Sequence, residues 1–332
     1  MLKNRRVLIT GACGSIGSAL LEYFLKAGAV VCAFDQSEDG LFNLDQVYNP
    51  KYQNQLKLFI GNIRDRDRLY RACDNVDIIF HCAAQKHVFL SEYNPFEVVQ
   101  TNITGVNNII DCALEQGVGK VIFTSSDKAV NPSSTMGVSK LLGEKLIVAG
   151  NNHSGDRGTI FSAVRFGNVL NTNGSVLRIF KKQLSQNLPI TITSKQMTRY
   201  FITMMEAVKL CVHCFNNMIG GEIFISKMDS FKIIDLAKAL NVEGELKTKI
   251  IGLKPGEKLY EELITDEESN RTIFKEGYYI LLPSSIDIMS EKIKSKYIAY
   301  ENMEKIGSSM NSHKDNISVE DIFKLLRENS FV

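Results

Sequence analysis

The sequence has almost no net charge, no long apolar run and no ordered set of cysteines. Its 332 residues carry 39 Lys and Arg against 37 Asp and Glu, a formal charge of +2. That balance supplies no electrostatic reason to bind nucleic acid or an anionic membrane surface. No apolar stretch approaches the ~20 residues of a spanning helix. The strand-like run Arg6-Val-Leu-Ile-Thr10 begins almost at once, leaving no room for a signal peptide, so a cytoplasmic protein is expected. The seven cysteines are odd in number and scattered, and Cys32, Cys73, Cys82 and Cys112 sit in apolar runs. They read as reduced, buried thiols rather than a disulfide framework. Cys211-Val-His-Cys214 has the spacing of half a zinc site. It lies within the helix-periodic run Glu206–Phe215 with no second Cys or His pair nearby, so it reads as core helix and no metal is expected.

What is present is alternation. Strand-like runs at Val7–Thr10, Ala29–Phe34, Leu56–Ile60, Val76–Cys82, Val121–Thr124 and Thr159–Gly167 are separated by helical stretches such as Ile16–Ala27 and Val106–Gln116. This pattern predicts an α/β fold, a doubly wound parallel sheet with helices on both faces. After Leu170 the pattern loosens, with loops at Asn171–Gly174 and Gln186–Pro189. A helix at Met204–Phe215 and a strand at Gly221–Ser226 read as a return to the sheet. The expected division is a dinucleotide-binding domain over 1–170, its sheet completed by 199–228, and a smaller substrate-binding domain over 171–332, mainly 171–198 and 229–332. Ser308–Asp315 is polar and expected to be mobile, and Ser318-Val-Glu-Asp321 reads as a helix start.

Gly11-Ala-Cys-Gly14-Ser-Ile-Gly17 lies between the first strand and the first helix. Glycines there permit a tight turn and close approach of backbone to a pyrophosphate, and the helix N-terminus offers free N–H groups. Asp35 closes the second strand, where a carboxylate accepts from both adenosine ribose hydroxyls and repels a 2′-phosphate. Gln36-Ser37-Glu38 offers no Arg for such a phosphate, so NAD is the expected cofactor rather than NADP. Asn62 and Ile63, after the third strand, fit an adenine contact. Ala83 and Ala84, after the fourth, present small side chains beneath a cofactor, and Lys86 is within reach of cofactor or sugar.

The segment Ser125–Lys140 follows the fifth strand and opens with a hydroxyl, a carboxylate and an amine in a row: Ser126, Asp127 and Lys128. Met136 stands four residues before Lys140. An Asp-Lys pair is most often a solvated turn. At the carboxyl end of a central strand it lies where doubly wound sheets bind ligands.

Together with Ala83-Ala-Gln-Lys86, Arg165-Phe-Gly-Asn-Val-Leu170, Met197-Thr-Arg199 and Gly252-Leu-Lys-Pro-Gly-Glu257, these blocks resemble the extended short-chain dehydrogenase/reductase superfamily, and within it the polysaccharide-biosynthesis branch. The resemblance runs from about residue 4 to about residue 282. It implies a Rossmann-type cofactor domain and the activity of the UDP-N-acetylglucosamine 4,6-dehydratases. Members of the superfamily normally carry Tyr where this chain has Met136. In this branch, enzymes that invert C5 usually keep the Tyr and those that retain C5 have Met, so the chain is similar to a soluble retaining member. The resemblance adds Ser15, Ile16, Ser37 and Asn102 to the expected cofactor set. It gives Asn168, Ser175, Val176, Arg199 and Glu257, with Lys86, to the UDP-sugar, and Lys140 to the nicotinamide ribose. It also implies at least a dimer, paired through the helices near Thr101–Gln116 and Thr135–Val148.

The implied chemistry needs an acid and a base. Oxidation at C4 makes the C5 proton acidic, a base removes it, an acid protonates the departing C6 hydroxyl, and hydride returns to C6. The resemblance makes Asp127 the acid and Lys128 the base. Desolvation favours the needed protonation state of both, with Lys140 as the nearby cation expected to help Lys128 lose its proton. Asp127, the Ser126 hydroxyl or a water are each able to take the C4 hydroxyl proton. An inverting dehydratase/5-epimerase and a C4 epimerase are the nearest enzyme alternatives. A silent NAD-binding sensor is the competing non-enzymatic reading, against which Ser126, Asp127, Lys128 and Lys140 stand together.

Overall fold

The computed structural model describes residues 2–155, 158–172, 174–241, 246–284, 286 and 291–332. Six apolar runs form parallel strands: β1 (Arg6–Thr10), β2 (Val30–Asp35), β3 (Leu56–Ile60), β4 (Ile78–His81), β5 (Lys120–Thr124) and β6 (Ile160–Arg165). Short elements follow: β7 (Asn168–Val169), β8 (Ile190–Ile192), β9 (Thr198–Ile202), β10 (Ile223–Ser226), β11 (Asp229–Lys232) and β12 (Thr248–Ile250). The last are β13 (Glu262–Ile264), β14 (Thr272–Lys275), β15 (Tyr278–Leu281) and β16 (Met310–Asn311).

The large sheet runs β14-β15-β10-β6-β5-β4-β1-β2-β3 and is parallel from β3 to β10. The chain winds outward from β1 to β3, then returns to place β4 on the other side of β1. That reversal opens a crevice at the strands' carboxyl ends. The interior strands are apolar on both faces because helices cover both. At the edge, β3 exposes Lys57, a charge that discourages further pairing.

Two features depart from expectation. Of residues 199–228, β10 joins the large sheet. β9 instead lies in a three-stranded sheet with β7 and β11. The far edge is closed by the antiparallel hairpin β14–β15, from the C-terminal half of the chain. Its turn is Glu276-Gly277, both at positive φ, +52° and +84°, the geometry of a tight hairpin with the twist of its strands. The expectation of mobility at Ser308–Asp315 is also corrected. β16 pairs with β13, and Ser312 is fully buried, its hydroxyl accepting from Glu261 N and bonded to the Thr198 hydroxyl. Polarity there reflects internal hydrogen bonding, not solvation. Ser318 does cap the helix Val319–Glu328.

That last helix completes a second hydrophobic core of Leu177, Phe180, Ile192, Phe201, Phe231 and Leu326, apart from the core of the large sheet. The Phe201 and Phe231 rings stack across β9 and β11 at 3.9 Å. Cys211 and Cys214 are buried in the helix Met204–Asn217. Among the described residues no group of His, Cys, Asp and Glu could hold a metal ion, and no helix is long and apolar enough to cross a membrane.

Candidate active site

A cleft of about 750 Å³ follows the carboxyl ends of β1 to β6 and continues under the β7–β9 layer. At one end is the glycine turn. Gly11 has φ +68°, and a Cβ there would lie 2.7 Å from Ala83 N, so only glycine fits. A Cβ on Gly17 would meet Gly11 O at 2.2 Å, which lets the helix Ser15–Lys26 start hard against β1. Among the described residues no side chain caps that helix, and no acidic residue stands in its first turn. Its N–H groups therefore remain for an anion such as a pyrophosphate.

Asp35 is held from both sides, one oxygen by Cys13 N at 2.9 Å and the other by Ser37 N at 3.0 Å. Each oxygen keeps a lone pair for a ribose hydroxyl. The Cys13 thiol is pushed up to about 12 by burial and then by Asp35, so it stays protonated. Gly14, Ser15, Ile16, Asn62, Ile63, Ala83, Ala84 and Lys86 line the same end of the cleft. The Asn62 side chain donates to Gln36 Oε1, fixing the loop after β3 against that after β2. These residues fit NAD. Two expected members have other jobs. Ser37 is exposed and caps the next helix by accepting from Gly40 N. Asn102 is buried in a π-helical turn, where it bonds Gln85 N and O and the Ser139 hydroxyl, and so holds the cleft wall from behind.

The middle of the cleft is built at the end of β5. Ser126 begins a short 3₁₀ turn, Asp127–Ala129. Its hydroxyl accepts from Lys128 N and donates to Asp127 Oδ1 at 2.8 Å. Asp127 is fully buried, and among the described residues its Oδ2 has no hydrogen-bond partner. Ser126, Lys128, Met136 and Lys140 reach the cleft surface. The Lys128 amine lies 2.8 Å from Asp127 Oδ1, 3.1 Å from Asn168 Oδ1 and 3.8 Å from Glu261 Oε1.

The expected loss of the Lys128 proton is corrected by this geometry. Burial alone would lower its pKa, but Asp127 and Glu261 outweigh burial and hold it above the ordinary lysine value. The opposing cation is Arg199, not Lys140. Met136 sits in the first turn of the helix Thr135–His153 and packs, 3% exposed, into the cleft wall. One turn on, the Lys140 amine donates to Thr124 O at 2.9 Å and lies over the Phe123 ring. Burial lowers Lys140 to about 8.

At the far end, Ser175 and Val176 open the helix Val176–Ser185, with the Ser175 hydroxyl buried beside the cleft and without a hydrogen-bond partner among the described residues. Glu257 also lines the cleft and accepts from Lys254 N. Arg199 lines it too, but its guanidinium is not a free fork for a diphosphate. It donates to the carbonyls of Thr198, Lys258 and Leu259, and its Nε stands 3.7 Å from Glu261.

Two residues escaped the sequence reading. Tyr200 is buried on β9, and burial followed by the Asp127 carboxylate raises its phenol's pKa. Glu261 is 2% exposed and faces Lys128, Arg199 and Lys258. No local pattern marks it, because its partners lie more than sixty residues away or on the loop just before it.

The model of the polysaccharide biosynthesis protein family matches residues 7–283. The chain is 40% identical to a protein of Campylobacter jejuni, serotype O:23/36, named UDP-N-acetylglucosamine 4,6-dehydratase (inverting), over 95% of this chain and 94% of that one. It is 33% identical to a UDP-glucose 4-epimerase of Rickettsia felis over 100% and 98%. The X-ray structure of Pen from Bacillus thuringiensis superposes with a TM-score of 0.92 at 35% identity, covering 100% of this chain and 99% of that one.

Proposed function

This chain belongs to the polysaccharide biosynthesis protein family, and we propose that it is an NAD-dependent UDP-N-acetylglucosamine 4,6-dehydratase that retains the configuration at C5. The observation that carries the reading is the cleft wall. It offers Ser126, Lys128 and Lys140 at the surface, Asp127 directly behind, and a thioether, Met136, where a phenol would serve as acid and base.

The glycine turn and Asp35 hold the cofactor. NAD supplies reversible hydride acceptance, from C4 of the sugar and back to C6. The protein's residues move the protons. Lys128, once deprotonated, removes the C5 proton beside the new ketone. Asp127 takes up the C4 hydroxyl proton as the hydride leaves C4 and passes it to the departing C6 hydroxyl, and Ser126, hydrogen-bonded to it at 2.8 Å, connects the buried carboxyl to the cleft. Water leaves, and C5 is reprotonated from the face it lost its proton. Asn168 and Asp127 orient the Lys128 amine, and Ser175, Val176 and Glu257 stand where the nucleotide and its phosphates would lie.

The names of the relatives favour two other readings, an inverting dehydratase and a 4-epimerase. A C4 epimerase has no need of a base at C5, which the Asp127–Lys128 pair provides. Inversion needs a proton donor on the opposite face or a mobile sugar. Met136 donates nothing, and its bulk limits rotation. The unaltered protein is therefore expected to give a first product of D-xylo configuration, and Met136→Tyr is not expected by itself to create efficient epimerisation, because one new phenol does not make the sugar mobile; both are followed by NMR of early time points. Abundant L-arabino product from that single change would make residue 136 the stereochemical switch and overturn this account of it.

The cofactor reading has its own test. NAD is expected to bind more tightly than NADP by calorimetry, and Asp35→Ala to narrow the difference by removing the repulsion of a 2′-phosphate. Tighter binding of NADP by the unaltered protein would contradict it.

The association expected of this chain also remains a proposal. Exposed Phe89, Tyr93, Phe96, Val138 and Leu142 lie on the helices Val88–Tyr93, Pro95–Val99 and Thr135–His153, which pack together. We expect these, rather than the mostly buried helix Gly105–Glu115, to carry most of a dimer contact.

A further inference from the structure

A second cavity, of about 120 Å³, adjoins the first, and Lys128, Arg199 and Glu257 line both. Glu261 lines the second cavity. It faces three cations and touches none closely: Lys258 Nζ at 3.4 Å, Arg199 Nε at 3.7 Å and Lys128 Nζ at 3.8 Å. Its Oε2 is buried and, among the described residues, has no hydrogen-bond partner. A carboxylate so placed is costly unless its charge is used.

The position is built, not incidental. Glu261 N donates to the Ser312 hydroxyl, and Ser312 N donates back to Glu261 O at 2.8 Å. The same hydroxyl is bonded to Thr198, next to Arg199. The Lys258 amine is in turn fixed by donation to Val130 O at 2.8 Å, two residues from Lys128.

We propose that Glu261 is a positioning residue for the elimination, which, through the ion cluster it shares with Arg199 and Lys258, controls how readily Lys128 gives up the proton it must lose before acting at C5. This rests on the reading of Lys128 as the C5 base. The charged groups acting on the amine are Asp127 on its own turn, Arg199 on β9 and Glu261 on the segment before β13, and Glu257 and Lys258 of that segment line the same small cavity. Asp127 and Glu261 hold the proton on, and Arg199 works against them. Lys258 acts indirectly, by drawing on the Glu261 charge.

Two substitutions should therefore act with opposite sign. Glu261→Gln keeps the shape, removes the negative charge and leaves Arg199 and Lys258 uncompensated. Lys128 should then titrate lower by about 1–3 pH units, the usual effect of an opposite charge at this range. Lys258→Met should move it upward, because Glu261 is then shared among fewer cations. Mere loosening of the site would not move the two variants in opposite directions.

The experiment is NMR of the full-length protein labelled with 13C at the lysine ε carbons, titrated with pH, with the Lys128 signal assigned by its loss in Lys128→Met. The pH dependence of kcat is measured beside it, where the acid limb should follow the same shifts. An unmoved Lys128 midpoint in both variants, with Lys128→Met inactive, would overturn the role of Glu261 while leaving the base intact. Shifted midpoints with Lys128→Met near wild-type turnover would instead overturn Lys128 as the base. If Glu261→Gln does not fold, Lys258→Met decides alone: an upward midpoint supports the proposal and an unchanged or lowered one overturns it.

Discussion

Lys128→Met and Asp127→Asn are each expected to lower turnover by at least ~10²-fold, the low end for a positioned acid or base. NAD binding should survive both, because neither residue touches the glycine turn or Asp35. The methionine keeps the length of the Lys128 stem and removes the amine that reaches the cleft. The asparagine keeps the shape of Asp127 and its contacts with Ser126 and Lys128, but has no carboxyl proton to pass through Ser126. The defect should lie in kcat more than in KM, since the lost interactions act on reacting protons. It is read as product formed per unit time by NMR, with cofactor affinity measured separately. Near-wild-type turnover in either variant would mean that its role is misassigned.

Arg165→Leu is expected to destabilise the protein by about 3–5 kcal/mol, the usual result of removing one partner from a buried ion pair. Arg165 is fully buried at the end of β6. It bonds Glu144 at 2.7 and 3.0 Å, both oxygens of Glu268 at 3.0 Å, and Leu263 O at 2.7 Å. One planar guanidinium thus ties the large sheet to the helix Thr135–His153, which carries Met136 and Lys140, and to the segment beyond β13. Leucine fills part of the space but leaves two carboxylates facing each other without the guanidinium that bonds both, with Arg271 nearby as a partial substitute. Arg165→Lys should recover little, since an ammonium cannot fork to two carboxylates. Urea unfolding checks this through a lowered midpoint at similar slope. A change within ~0.5 kcal/mol, as for an ordinary surface substitution, would contradict the account.

The fold was legible wherever an apolar run had to be a strand. The runs around Val7–Thr10, Val76–Cys82 and Val121–Thr124 came out within a residue or two, because strands buried on both faces leave no polar alternation to misread. The hairpin β14–β15 was not legible, since a short antiparallel pair added to a parallel sheet leaves no mark in the spacing of the earlier strands. Ser308–Asp315 misled for a related reason. Its polar side chains look solvated in sequence, while Ser312 spends its hydroxyl on Glu261 and Thr198.

The candidate site divides in the same way. The glycine turn, Asp35 and the Ser126–Lys128 turn are local motifs, and their side chains stand together in the cleft. The protonation of Lys128 depends on Glu261 and Arg199, brought in by distant segments, so the sequence suggested a direction opposite to the one the charges impose. Arg199 illustrates the limit from the other side. Its residue type suits a diphosphate, but only the fold reveals the carbonyls that engage it.

The central claim is most directly tested by incubating the protein with NAD and UDP-N-acetylglucosamine in deuterated water and following the products by NMR from the earliest time points. The account predicts loss of one water and a 4-keto-6-deoxy sugar of D-xylo configuration carrying one solvent deuterium at C5. An L-arabino sugar as the first species formed, or a C4 epimer with no loss of water, would contradict it.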